Sequence, residues 1–391
     1  MNVKNILITF LLLLVIGCTR KNIDAIKPVI NDENAITVEL FYNKSNYRFG
    51  DIKMSEFVDS VKFIILEEID ESLINRIENI IFTQEYVIVV DRSQGVIFFF
   101  DWDGKFVRKI SRKGQGPGEY LYMQSCMIDE QQQLIIYDIQ ARKMLFYDLD
   151  GNFLRQISNF CEGALIRSII NLPNGHFLCY TYNLIGQVDQ KYIGLWEVDH
   201  DGKFLRNHFT YKVILPVVHG GSLNFQQLQN GTISIKDQIH NDIYHYHNGI
   251  VERFITYNIK ENRLPDMIDV EVYEDLPQII RSSPHEKGDY IISLWYDEDS
   301  QPFFSLFSKK NQEIRYWDGY YSYDTNVSGI MYMLVDSNKS NLLVCNLNKD
   351  AINVYLADPN LPESVRNTLE SLSQEIGDSD NPVLELLYIK E

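Results

Sequence analysis

The chain has no block of basic residues. Its 391 residues carry 36 Lys and Arg against 54 Asp and Glu, a formal charge of −18. Nucleic acid is thereby excluded as a partner, because phosphate contacts need clustered cations. Long apolar runs are also missing. The N-terminal stretch Ile6 to Ile16, broken only by Thr9, is half of the ~20 residues that a bilayer-crossing helix needs. Cysteine is scarce, with Cys18, Cys126, Cys161, Cys179 and Cys345 showing no Cys-x-x-Cys spacing, which removes the usual zinc and dithiol motifs. No Gly-x-Ser-x-Gly nucleophile elbow occurs, and no glycine loop is followed by Lys-Ser/Thr to cradle a phosphate. What is abundant is aromatic: 24 Tyr, 21 Phe and 4 Trp make up 13% of the chain, a composition that favours strands.

The first residues, MNVKNILITFLLLLVIGCTRKN, have the layout of a secretory signal. Lys4 gives a positive start, the 11-residue run from Ile6 follows, and Val15-Ile16-Gly17-Cys18 resembles a bacterial lipobox. Cys18 is therefore expected to carry lipid and become the mature N-terminus, anchoring the protein stably to a membrane. Thr19 follows it rather than Asp, and no acidic run comes after, so an outer-membrane anchor facing the periplasm is expected. The division is then a signal peptide over 1–17, a tether and N-terminal segment over 18–57, and a folded body over 58–391. The other four cysteines lie in apolar or strand-like stretches and are expected to be buried free thiols.

The middle of the chain repeats. FFDWDGKFVRKI from Phe99, FYDLDGNFLRQI from Phe146 and WEVDHDGKFLRNHF from Trp196 align, with YHYHNGIVERF from Tyr244 as a weaker fourth. Asp-Gly or Asn-Gly between apolar runs marks a hairpin, read here as type I′ turns at Gly104, Gly151, Gly202 and Gly249. A second series sits one hairpin earlier in later units, at Asn174-Gly175, Asn230-Gly231 and Lys287-Gly288. Two hairpins in about 50 residues make four antiparallel strands, the content of a propeller blade. The spacing predicts an all-β, six-bladed β-propeller with units at 76–111, 125–158, 167–211, 222–257 and 278–317. In the fifth unit the turn glycine is replaced at Lys310-Asn311. The sixth shows two strands, Ile330–Val335 and Leu342–Leu347. Its missing pair is supplied by the chain ends, Ser60–Leu66 and Val383–Ile389, which closes the ring and removes an open edge. Between them, Pro362 to Ile376 predicts one amphipathic helix, with Val365, Leu369, Leu372 and Ile376 on one face.

These residues resemble the six-bladed β-propeller lipoproteins of Bacteroidetes, relatives of NHL-repeat propellers. The carriers are VIVVDRSQGVIFFFDWDGKFVRKISRKGQGPGEY, YDLDGNFLRQI, NDIYHYHNG and the terminal NPVLELLYIK. The resemblance spans about 58–390 and implies a fold and an envelope location, with no catalytic residues to carry over.

Several groups could carry chemistry. Gly114 to Tyr120, GQGPGEY, lacks the parts of a phosphate loop and reads as a connector between blades. The basic triplet Arg108, Arg112 and Lys113, beside Glu119, could line the mouth of the central channel. His245 and His247 share a strand face near His240 and Asp242 and could hold a metal, against the reading of a solvated strand face. Asp91 and Asp138 each end a second strand, either as channel carboxylates of a calcium-dependent hydrolase or as turn caps. Trp102, Trp196, Trp295 and Trp317 could stack on sugars, as could the YWDGYYSY stretch with Tyr316, Tyr320, Tyr321 and Tyr323; core packing is the competing account. The expected function is a non-catalytic envelope protein that binds a partner, a glycan or glycoprotein, through one propeller face and needs no cofactor or metal. The candidate contacts are Arg112, Glu119, Tyr120, Tyr316, Trp317, Tyr320 and Tyr321. The alternative is a metal-dependent hydrolase or lyase with its site in the channel.

Overall fold

The computed structural model describes residues 34–39, 52–181, 190–210, 225–237, 241–258, 282–296, 302–318, 322–324, 329–331, 333–377 and 379–390. The strand pattern sorts into blades along the chain. Blade 1 runs Asn79–Phe82, Val87–Asp91, Val96–Phe100 and Phe106–Ile110. Blade 2 runs Met123–Ile128, Leu134–Asp138, Lys143–Tyr147 and Phe153–Ile157. Blade 3 comprises Ser168–Asn171, Phe177–Thr181, Gly194–Val198 and Phe204–Phe209. Blade 4 comprises Phe225–Gln227, Ile233–Lys236, Ile243–His247 and Ile250–Asn258. Blade 5 takes Ser282–Lys287, Tyr290–Tyr296, Pro302–Ser308 and Glu313–Asp318. All are antiparallel within a blade, and the six blades make a β-propeller.

Blade 6 is assembled from both ends of the chain. Met333–Ser337 and Leu342–Leu347 supply its inner half, and Val383–Ile389 pairs with Leu342–Leu347 on one side and Val58–Ile65 on the other. The ring therefore closes as the sequence predicts. The inner strand starts at Met333, however, rather than Ile330. Gly329–Met331 instead pairs with Ser322–Asp324 as a separate short hairpin.

The core lies between blades. Second and third strands are sandwiched on both faces, so they read as continuous apolar runs, whereas outer strands such as Phe106–Ile110 alternate. Alternate side chains then serve different interfaces. Val87 and Val89 pack with blade 6 residues Leu384 and Leu386, while Ile88 and Val90 pack with Leu134 and Ile136 of blade 2. Cys126, Cys161, Cys179 and Cys345 are free and buried in these layers, as expected.

Three local features differ from the sequence reading. The Asp-Gly turns are not type I′. At Gly104, Gly151 and Gly202 only the glycine has positive φ, near +84°, and each turn ends in a strand register shift. Each is a four-residue turn closed by a glycine bulge. The cause is the first Asp of the repeat: Asp101 Oδ1 accepts from the Asp103 and Lys105 amides, and Asp199 does the same with Asp201 and Lys203. Only Asn248-Gly249 has positive φ at both positions. In blade 5, Gln312 adopts the positive φ that glycine holds elsewhere. Second, Ile36–Glu39 adds to the outer strand of blade 4 in parallel, making a fifth strand. Third, the expected helix, Glu363–Ile376, is preceded by another, Lys349–Leu356, capped by the Asn348 side chain. Both form the connection between the second and third strands of blade 6. Val365, Leu369 and Leu372 pack there with Ile352, Leu347 and Val383.

Candidate functional site

Antiparallel order places the turns between second and third strands at the same end of the ring as the connectors between blades. The GQGPGEY connector lies at this end, folded on itself. The Tyr120 amide donates to the Arg112 carbonyl and the Gly114 amide to the Tyr120 carbonyl. Glu119 accepts from the Gly116 amide at 2.8 Å, filling the space where a Cβ on Gly114 would sit. Tyr120 is fully buried, and its hydroxyl donates to the Gly95 carbonyl at 2.7 Å; burial pushes its pKa up to about 12. Arg112 reaches the Gly151 carbonyl. Arg108 stacks on Tyr86 and Phe99 and bonds the Leu149 carbonyl of the next blade. Arg112 and Lys113 are both exposed, but of the basic triplet only Lys113 lines a cleft.

That cleft, of about 270 Å³ between blades 1 and 2, is lined by Arg76, Glu78, Arg92, Lys113 and Tyr122 among others. Two buried aspartates build it. Asp91 accepts from the Asn75 and Arg76 amides through Oδ2 and from Ser93 Oγ and the Gln94 amide through Oδ1. Burial alone would raise its pKa, but these hydrogen bonds hold it below the usual carboxylate value. Asp138, one blade on, accepts from the Leu121 amide at 2.7 Å and from the Tyr122, Gln140 and Ala141 amides. These two aspartates are turn caps, spent largely on backbone amides, and they fix the backbones of Arg76 and Tyr122, which both line the cleft. Glu78 accepts the Arg92 amide at 2.7 Å and lies 3.6 Å from Arg76 Nε; burial raises its pKa despite these partners. Arg92 is further held by the Gln124 carbonyl. Tyr122 is 47% exposed, the one aromatic among the large apolar side chains left open in the described residues.

The other predicted residues are placed elsewhere. Tyr316 is buried against Phe303 and donates its hydroxyl to the Glu39 carbonyl. The strand of Trp317 is described but its side chain is not, and Tyr320, Tyr321, His240 and Cys18 lie outside the described residues. Trp196 and Trp295 are core residues, and Trp102 stacks on Phe82. His245 is not on a solvated face: its ring stacks on Phe254 and its Nε2 lies 3.0 Å from the buried Glu286 of blade 5. Asp242 pairs with Arg253 and His247 is exposed. Among the described residues no group of three or more His, Cys, Asp or Glu is arranged to hold a metal ion.

The opposite end of the ring carries a buried carboxylate cluster that the sequence did not mark. Glu197 accepts from Arg206 Nε at 2.9 Å and contacts His176 Nδ1 at 2.9 Å and His208 Nε2 at 3.3 Å. Burial would raise its pKa, but these three partners hold it at about 2. Arg206 occupies the position four residues past the turn glycine that Arg108, Arg155 and Arg253 occupy in the other repeats. Arg108, Arg155 and Arg253 each lie over an aromatic ring of the third strand. These arginines clamp the fourth strand of each blade onto its third. Of the cleft residues, Arg76, Arg92 and Tyr122 were missed; Tyr122 lies two past buried Tyr120, a spacing that on a strand would put both on one face, so the pattern does not single it out.

The fold has solved neighbours in Bacteroides. A Bacteroides fragilis protein described as exported overlays with a TM-score of 0.70 at 15% identity, covering 92% of this chain and all of its own. A member of the duf4221 family from Bacteroides vulgatus gives 0.52 at 10% identity, covering 85% of this chain and 97% of its own. No curated protein matches the sequence. No helix among the described residues is long and apolar enough to cross a membrane. A family model spans residues 34–388, and the chain belongs to that family, described as Domain of unknown function (DUF4934).

Proposed function

We propose that the protein is a lipid-anchored envelope propeller that binds, rather than transforms, a glycan or glycoprotein, and that the cleft between blades 1 and 2 is its binding site. The observation that carries this reading is Tyr122, an exposed ring pinned at its backbone by buried Asp138 beside a preformed cleft. Aromatic faces on rigid scaffolds suit the apolar faces of sugar rings. The location rests on the signal-like start and the lipobox at Cys18. Glycan contact moves from Tyr316 to Tyr122, because the Tyr316 ring is buried and its hydroxyl is already engaged. The test is a glycan array probed with the full chain in detergent, wild type against Tyr122→Ala. Loss of the wild-type signals in the variant supports the reading. Unchanged signals, or none for either protein, overturn it.

A further inference from the structure

In a chain of net charge −18, three cations line one small cleft, and the single carboxylate among them already accepts an amide. Lys113 has no side-chain partner among the described residues, and the loop that carries it is locked by Glu119 and Tyr120. Arg76 is 73% exposed at its side chain and, among the described residues, meets only Glu78, at 3.6 Å. Among the described residues Arg92 commits a single donor, to the Gln124 carbonyl at 3.2 Å, out of the five that a guanidinium offers. Donors therefore remain on all three cations of a space that an acidic surface would otherwise repel anions from. Their backbones are fixed: buried Asp91 holds the Arg76 amide, half-buried Glu78 holds the Arg92 amide, and a parallel bridge ties Lys113 to buried Tyr120. Such positioning costs little ordering on binding.

We infer that the cleft selects an acidic saccharide, with Arg76, Arg92 and Lys113 gripping a carboxylate or sulfate while the sugar ring lies on Tyr122. This rests on the glycan reading of the same cleft and deepens it. The shared chemistry is an oxyanion on a sugar. Guanidinium groups present paired N–H donors to carboxylate or sulfate oxygens, and Lys113 adds a point charge. Neutral sugars gain only the ring contact. A flat basic surface would bind polyanions without regard to their sugar, whereas this cleft couples one charge cluster to one aromatic wall.

The experiment is calorimetric titration of the full chain in detergent with trigalacturonic acid, a chondroitin sulfate tetrasaccharide and neutral maltotriose. The two acidic arms separate carboxylate from sulfate as the source of the oxyanion. The wild type is expected to bind at least one acidic probe about tenfold or more tightly than maltotriose, the weight of one charge-assisted hydrogen bond. That preference should weaken with added salt. Lys113→Glu with Arg76→Glu, both at exposed side chains, should erase the preference and leave thermal unfolding unchanged. Tyr122→Ala should weaken acidic and neutral probes alike. If all three probes bind equally, or the double variant keeps the preference, the acidic selection is wrong while the glycan reading stands. If acidic probes bind but Tyr122→Ala has no effect, the sugar contact is wrong. Binding of no probe overturns both.

Discussion

Removing the final strand tests ring closure in energetic terms. Val383–Ile389 buries Val383, Leu384, Leu386, Leu387 and Ile389, each between 0% and 3% exposed. Leu384 and Leu386 pack toward blade 1, Leu387 and Ile389 pack toward blade 5, and Val383 packs under the helices. One strand thus feeds three layers of core. At about 1.5–3 kcal/mol for each fully buried side chain, it contributes about 8–15 kcal/mol of burial. That is comparable to the whole stability of an ordinary domain, about 5–15 kcal/mol. Deletion from Pro382 onward should therefore leave no folded, soluble protein. The graded version is Leu386→Ala, expected to cost about 2–5 kcal/mol by leaving a cavity between blades 6 and 1. Leu154→Ala, on an exposed outer-strand position, should cost no more than about 0.5 kcal/mol. Guanidinium unfolding followed by Tyr and Trp fluorescence reads all three. A truncated chain with an unshifted midpoint would refute the closure, as would equal costs for Leu386→Ala and Leu154→Ala.

Gly104 meets the same closure from blade 1: its φ is +84°, and an added Cβ would lie 2.0 Å from the Ile65 carbonyl oxygen. Gly104→Ala should cost about 2–3 kcal/mol, against about 1 kcal/mol for Gly175→Ala, where φ is +80° and the space is open; equal midpoints would contradict the contact. Glu197, held at a pKa of about 2 rather than 4.5, contributes stability that is present above pH 4.5 and lost as pH falls toward 2. Glu197→Gln should be destabilised by up to about 3 kcal/mol at neutral pH and flatten the pH dependence of unfolding between about pH 5 and 2.5; a variant with the wild-type slope would contradict the assignment. Cys18→Ser should shift the protein from the membrane fraction to the soluble periplasm or leave its signal uncleaved. A processed variant still on membranes would mean another anchor.

The repeat was legible because blade geometry is written in local chemistry: turn residues recur, and strands buried on both faces read as unbroken apolar runs. The closure was legible for a complementary reason, since Val383–Ile389 and Val58–Ile65 were apolar strands with no other partner. The turn type was misread because Asp-Gly alone does not set it. Asp101 and its equivalents bond the amides two and four residues on, and that favours a bulged turn over a mirror-image one. The strand Ile36–Glu39 and the helix Lys349–Leu356 were too short to show a period. The candidate site was harder. Arg76 precedes the first strand, Arg92 sits in a turn and Tyr122 follows a connector, so none falls in the aligned segments of the repeat. Two aspartates, one in each of two successive blades, hold Arg76 and Tyr122 by their amides, and of the site only Asp91, Asp138, Lys113 and Tyr120 drew attention in the sequence.

The most direct test of the central claim is a crystal structure of the protein soaked with trigalacturonic acid. The account predicts a sugar ring against Tyr122, with its carboxylate within about 3 Å of Lys113 Nζ and the Arg76 or Arg92 guanidinium. Saccharide density at any other place on the ring, with this cleft holding none, would contradict it.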